Sequence, residues 1–382
     1  MPAEPGARMS TAPKVCFVVG ARPNFMKAAP VHRALGALEP GADLLLVHTG
    51  QHYDQGMSSV FIDELDLPEP DIYLGVKSGT HAEQTARALV GVEKVLLEHA
   101  PALVVVAGDV NSTLAAALAA SKLQIPVAHI ESGLRSFDDS MPEEANRRLT
   151  DHLSRILFAH SESAVANLRA EGIEDGCVHL VGNTMINSVL RHLPDALVRQ
   201  PWTAFGVEPG HYGLVTLHRP ALVDDAELLR QTVSSLAELA DDVPIVFPVH
   251  PRTEARLSAN GAPADELARR GITLCAPLGY LDFLALEAKA RFVLTDSGGI
   301  QEETSALGVP CFTLRDNTER PITVERGTNA ILGMSPDRIR VIPELLEGGV
   351  REQEELPLWD GRAGERAADV IARFMLTGQS RT

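Results

Sequence analysis

Along the whole chain, continuous apolar runs end in a glycine or a short polar loop and give way to a helical pattern. VCFVVG, LLLVHTG, ALVVVAGD, IPVAHIE, RILFAHS and VHLVGNT do so in the first half, and YGLVTLHRP, PIVFPVHPRT, RFVLTDSGG and PCFTL in the second. These runs do not alternate apolar with polar residues, so they fit parallel strands buried on both faces, with helices as crossovers. The expected class is α/β, with doubly wound parallel sheets. A chain of 382 residues suffices for two domains. The second half repeats the grammar of the first, and a hinge near Gly182-Asn183-Thr184 divides the chain into residues 1–183 and 184–363. Residues 364–382 carry a last helix whose apolar positions Ala367, Val370, Ile371 and Phe374 should pack on a domain. The first ~13 residues, rich in Ala and Pro, read as a disordered leader.

A formal net charge of −17 argues against a nucleic-acid partner, while leaving room for a local basic pocket that holds a small phosphate ligand. No uncharged apolar stretch is long enough to span a bilayer, so no membrane insertion is expected and the protein is expected in the cytoplasm. Cys16, Cys177, Cys275 and Cys311 lie far apart, without zinc or redox spacing. Cys16 and Cys311 fall in strand-like runs and read as small core residues.

Open α/β sheets build their sites at the carboxyl ends of the strands. The stretch from Val127 to Arg148 is the richest such place, setting Glu131, Glu143 and Glu144 beside His129, Arg135, Arg147 and Arg148. A charged loop running into a solvated helix would look the same locally. After VCFVVG, Arg22 and Lys27 flank a helix start whose free N–H groups favour an anion, although for the loop taken alone a plain turn with two surface cations is the simpler reading. That loop has neither Walker nor GxGxxG spacing. Asp109 ends the third run, ahead of Asn111-Ser112-Thr113, which should cap an alanine-rich helix; a capping and a catalytic role both fit it. His218 and His250 each end a strand with an arginine close behind, as phosphate donors, proton shuttles or structural residues. No close histidine pair suggests a metal site.

Ser297-Gly298-Gly299 follows a strand directly and opens a helix, so bare backbone amides can approach a phosphate. Glu302 and Glu303 come within about the first turn, where a carboxylate can take ribose hydroxyls; a simple helix cap with acidic neighbours is the alternative. The polar loop from Arg315 to Thr323 centres on Glu319-Arg320-Pro321.

Taken together, GARPNFMKAAP, TGQHYD, GD, HIESGLR, MPEEANRRLTDHLS, VGNT, TLHRP, PVHPRT, DSGGIQEE and NTERP resemble the non-hydrolysing UDP-N-acetylglucosamine 2-epimerases over nearly the whole chain. The resemblance implies a GT-B architecture of two Rossmann-like domains facing a central cleft, a C-terminal helix returning to the first domain, and a homodimer. It places nucleotide contacts on Arg22, His218, Ser297, Gly298, Gly299 and Glu303, with Phe283 at the uracil and Lys27 and Arg320 near the sugar or diphosphate. The acid/base set would be Asp109, Glu131 and Glu143, with His218 at the reaction centre and Arg147 and His250 in support. It implies elimination of UDP to a 2-acetamidoglucal followed by re-addition, without nicotinamide, metal or pyridoxal cofactor.

The form HIESGLR departs from the family's usual HVEAGLR but keeps Glu131, Gly133 and Arg135. TGQHYD, LHRP and NTERP also resemble the branch acting on UDP-2,3-diacetamido sugar acids. A hydrolysing epimerase, a GT-B glycosyltransferase and a non-catalytic UDP-sugar sensor are the other readings; the coexistence of Asp109, Glu131, Glu143 and His218 argues against the last two.

Overall fold

KVCFVV forms β1 (Lys14–Val19), buried from Val15 onward and paired with a parallel neighbour on each side. The computed structural model describes residues 13–39, 41–50, 69–249, 251–260, 264–349 and 354–377. Within them the first sheet has seven strands in the order β3-β2-β1-β4-β5-β6-β7. The others are β2 (Asp43–His48), β3 (Ile72–Tyr73), β4 (Leu103–Ala107), β5 (Val127–Ser132), β6 (Ile156–Ala159) and β7 (Val178–Leu180). Its helices are α1 (Arg22–Gly36), α2 (His81–His99), α3 (Asn111–Lys122), α4 (Pro142–Leu153) and α5 (Glu162–Ala170), and α6 (Thr184–Arg199) leads away. Strand order reverses between β1 and β4, which opens a crevice at their carboxyl ends.

The second sheet has six strands among the described residues, in the order β10-β9-β8-β11-β12-β13. These are β8 (Gly213–Thr216), β9 (Ile245–Pro248), β10 (Ile272–Cys275), β11 (Phe292–Thr295), β12 (Cys311–Thr313) and β13 (Asn329–Ile331). Its helices are α7 (Pro220–Val223), α8 (Ala226–Ala240), α9 (Pro251–Ala259), α10 (Ala264–Arg269), α11 (Tyr280–Lys289), α12 (Gly298–Leu307), α13 (Pro321–Glu325) and α14 (Ile342–Glu347). Here the reversal falls between β8 and β11. Alternate strand residues feed opposite faces: Val215, Phe292 and Leu294 join one apolar cluster, Leu214 and Val293 another. Each such side chain, fully buried, contributes roughly 1.5–3 kcal/mol, and that is why the runs are apolar throughout.

By contacts the chain forms two units, one built on each sheet. It passes from the first to the second inside α6, between Ser188 and Val189, and rejoins the first at Asp360. The sequence expectation had set this division at 183/184. The final helix, α15 (Ala363–Thr377), packs on α1, with Gly364 so near Pro30 that a Cβ would stand 2.7 Å from the proline side chain. Cys16 and Cys311 are core residues, and burial pushes both thiols up to about 12. None of the described helices is long and apolar enough to cross a membrane. Each sheet is Rossmann-like in its parallel, order-reversing topology.

Candidate active site

In the first unit the crevice is assembled by α1. Asn24 accepts the N–H groups of Gly20 and Ala21 at 3.2 and 3.0 Å and donates to the Ala107 carbonyl at 2.7 Å, tying the β1 loop to the end of β4. One turn further along α1, the buried Lys27 reaches Glu131, Nζ to Oε1 2.7 Å. Glu131 stands where the register of β5 against β6 breaks between Ile130 and Ser132, and its φ is +67°. A left-handed residue inside a strand is strained, and such bulges re-aim a side chain. At Gly108, φ is +66°, and a Cβ would lie 3.1 Å from Lys27 Nζ. Glycine therefore serves both the turn and the passage of the lysine.

Asp109, next in the chain, accepts from Arg147 Nη2 at 2.5 Å, and its carbonyl accepts from Asn146 at 2.9 Å. Arg147 also donates to Glu144 at 3.0 Å, and Arg148 lies 3.3 Å from the other Glu144 oxygen. Glu144 is buried, whereas Glu143 is half-buried and makes no ion pair or hydrogen bond among the described residues. Of the two adjacent acids, one is thus committed to the arginines and the other stands available. The expected cap at Asn111-Ser112-Thr113 is corrected: Val110 is the N-cap and receives no side-chain bond. These side chains turn inward instead, Thr113 donating to the Ala107 carbonyl at 2.9 Å and Ser112 meeting Thr49 at 2.7 Å. Asp109, one residue ahead of the N-cap, pairs with Arg147 rather than capping.

Behind these loops His129 is fully buried, with Nδ1 2.7 Å from Asp151 and Nε2 2.8 Å from the Gly108 carbonyl. The second oxygen of Asp151 accepts the Gly133 N–H at 3.1 Å. One aspartate therefore holds the backbone beside Asp109 and beside Glu131.

In the second unit, Asp296 organises the β8–β11 crevice. It accepts the N–H groups of His218 and Arg219 at 2.9 and 2.8 Å and lies 3.0 Å from His218 Nδ1, leaving the histidine side chain 53% exposed. Burial opposes charge on Asp296, but the His218 ring and these two N–H groups outweigh it and hold the carboxyl below its usual range. Ser297 is the N-cap of α12 without a side-chain cap bond. The first turn has no acid; Glu302 and Glu303 fall in the second turn and are buried, which corrects the expected first-turn placement. Arg320 is buried too, with Nε 2.9 Å from Glu302 and Nη1 2.5 Å from Glu319. A Cβ on Gly298 would stand 2.4 Å from Arg320 Nη1 and 2.8 Å from Glu319 Oε1. Gly298→Ala is accordingly expected to cost about 1–3 kcal/mol, read as a lower midpoint in urea unfolding; an unchanged midpoint would show that the ion pair yields freely. Phe283, in the first turn of α11, packs half-buried against the cluster containing Leu286 and Val293, and Gly299 is half-buried.

The crevice of the first unit thus gathers Lys27, Asp109, Glu131 and Arg147, with Glu143 in the first turn of α4. That of the second holds His218 and Ser297 to Gly299, with Glu303 further along α12 and Arg320 beside Gly298 in space. His250 and the side chain of Arg22 lie outside the described residues. Sequence reading passed over Asn24, Asp151 and Asp296. Asp151 had a signal: Glu144, Arg147 and Asp151 recur at helical spacing, and the buried face of α4 is polar throughout.

A sequence family described as UDP-N-acetylglucosamine 2-epimerase matches residues 37–372. The UDP-N-acetylglucosamine 2-epimerase of Methanocaldococcus jannaschii is 44% identical over 363 residues, 94% of this chain and 98% of the relative. The UDP-2,3-diacetamido-2,3-dideoxy-D-glucuronate 2-epimerase of Pseudomonas aeruginosa is 38% identical over 365 residues, 94% of this chain and all of the relative (100%). A crystal structure of the M. jannaschii UDP-GlcNAc 2-epimerase in complex with UDP-GlcNAc and UDP superposes with a TM-score of 0.85 at 43% identity, covering 94% of this chain and 99% of that one.

Proposed function

The chain belongs to the UDP-N-acetylglucosamine 2-epimerase family, and from that premise we propose that it interconverts UDP-GlcNAc and UDP-ManNAc by inversion at C2. The observation that carries this is the setting of three carboxylates in the first unit. Glu131 is paired with Lys27 on a strained bulge, Asp109 is paired with Arg147, and Glu143 is unpaired among the described residues. Carboxylates in unlike environments can act as acid and base in one site.

The C2 proton of a UDP-sugar is not acidified by any adjacent carbonyl. A carboxylate takes it while the C1–O bond breaks and its electrons leave on UDP, giving a 2-acetamidoglucal. A proton then reaches C2 from the other face, and the UDP oxygen re-forms the C1–O bond. Positive charge develops on the ring and negative charge on the diphosphate, so donors aimed at the leaving group lower the barrier. In this reading Ser297, Gly298, Gly299, Arg22 and His218 hold the diphosphate, Phe283 meets the uracil and Glu303 the ribose. Lys27, Arg147, His250 and Arg320 support sugar and phosphate. The route is redox-neutral and calls for no cofactor. The family resemblance also supports a cytoplasmic homodimer.

Proton NMR of the purified protein with UDP-GlcNAc in D2O tests this. UDP-ManNAc carrying deuterium at C2 is the expected product, and free ManNAc with UDP would replace the non-hydrolysing reading by a hydrolysing one. The 38% identity to the diacetamido-glucuronate epimerase favours a second reading, in which turnover occurs only with that doubly acetamidated acid sugar. Turnover of neither sugar would overturn both.

A further inference from the structure

We propose that Glu287 is a positioning residue for the nucleotide: a neutral carboxylic acid whose O–H donates to the Glu303 carboxylate and sets it as the charged acceptor for the ribose hydroxyls. The inference rests on the reading of Glu303 as the ribose ligand. Glu287 lies on α11 and is 0% exposed; Glu303, on the adjacent α12, keeps 5% exposure. Neither Glu287 oxygen meets an N–H or O–H donor among the described residues, and the Glu303 carboxyl is the side chain that acts on it most strongly. Two carboxylates cannot meet as anions in a dry interior. One proton between them converts the repulsion into a strong O–H···O⁻ bond. Full burial keeps that proton on Glu287 and leaves the charge on the acid that still reaches the surface.

The surroundings agree. Burial first, then the Glu303 charge, raises the Glu287 carboxyl well above the usual carboxylate range. From β12 the group facing it is the Cys311 thiol, neutral because burial pushes it up to about 12. Tyr212, at the approach to β8, spends its hydroxyl on the Leu286 carbonyl at 2.6 Å. The one-turn helix Pro201–Phe205 packed on α11 has no titratable side chain.

The test compares wild type, Glu287→Gln and Glu287→Leu by infrared spectroscopy and by calorimetric titration with UDP and with 2′,3′-dideoxy-UDP. A protonated-carboxyl band should be present in wild type at neutral pH and absent from Glu287→Gln; a wild type without the band would overturn the proposal. Leucine removes the donor, so UDP should bind about tenfold more weakly while dideoxy-UDP is unaffected, and glutamine, whose amide N–H also donates, should restore UDP binding. Equal UDP affinity in all three proteins would again overturn it. If the leucine variant fails to fold, the band and the glutamine variant still decide. Because Glu287 holds its proton more tightly folded than unfolded, wild type loses stability as pH rises above the ordinary value of 4.5 towards the raised folded value. The thermal midpoint of Glu287→Gln should therefore gain on wild type over that span, and a constant difference would count against the shared proton. The ribose reading fails separately: Glu303→Ala would then bind UDP and dideoxy-UDP as wild type does.

Discussion

Glu143→Gln is expected to lower kcat by about two to four orders of magnitude while leaving UDP affinity within about twofold, the range set by losing one acid–base group. The substitution is informative because Glu143 makes no ion pair or hydrogen bond among the described residues. An amide of the same shape disturbs no neighbour, so a fall in rate reports proton transfer rather than misfolding. Glu144 is the control that shows the difference. It neutralises Arg147 and Arg148 at 3.0 and 3.3 Å, and its loss would act on structure first. Steady-state rates by NMR, together with the rate at which C2 exchanges with D2O, separate the two effects. If Glu143→Gln turned over UDP-GlcNAc at the wild-type rate, the acid–base assignment of this residue would be wrong.

Asp151→Ala should have the largest effect on stability, about 3–5 kcal/mol, and should lower kcat as well. Its carboxylate is the acceptor for His129 Nδ1 at 2.7 Å and for the Gly133 N–H at 3.1 Å, both in the dry interior. Two buried donors would be left without a partner, each costing about 1–3 kcal/mol. His129 in turn holds the Gly108 carbonyl, so the backbone next to Asp109 and the turn after Glu131 lose a common anchor. Trp202 and Trp359 both lie in the second unit, and they are the chain's two tryptophans. Circular dichroism should therefore report a lowered first transition, while the midpoint followed by tryptophan fluorescence moves less. A variant as stable as wild type would mean that water replaces the carboxylate without loss.

Much of this was legible in the residues. The start of α2 is written in Thr80 and Glu83, a capping box in which Thr80 accepts the Glu83 N–H and Glu83 accepts the Thr80 N–H. The strands that had no apolar run to announce them, β3, β10 and β13, are short and lie on sheet edges. An edge is covered on fewer sides, so it needs fewer apolar residues and leaves a weaker trace.

Burial on both faces leaves a parallel strand almost no choice of residue, and a backbone that must pass close to other groups leaves little but glycine. For those reasons the sequence by itself determined the α/β class, the two sheets, the strand-end loops and the Gly298 turn. Tertiary structure alone decided which acid does what. Glu143 and Glu144 are alike in sequence and differ only because Arg147, bound also to Asp109 at a separation of 38 residues, points at one of them. Glu131 differs from any strand glutamate by a bulge that brings it to Lys27, 104 residues away in the chain. Charge pairing depends on distance through space, and distance through space is what a one-dimensional pattern does not carry.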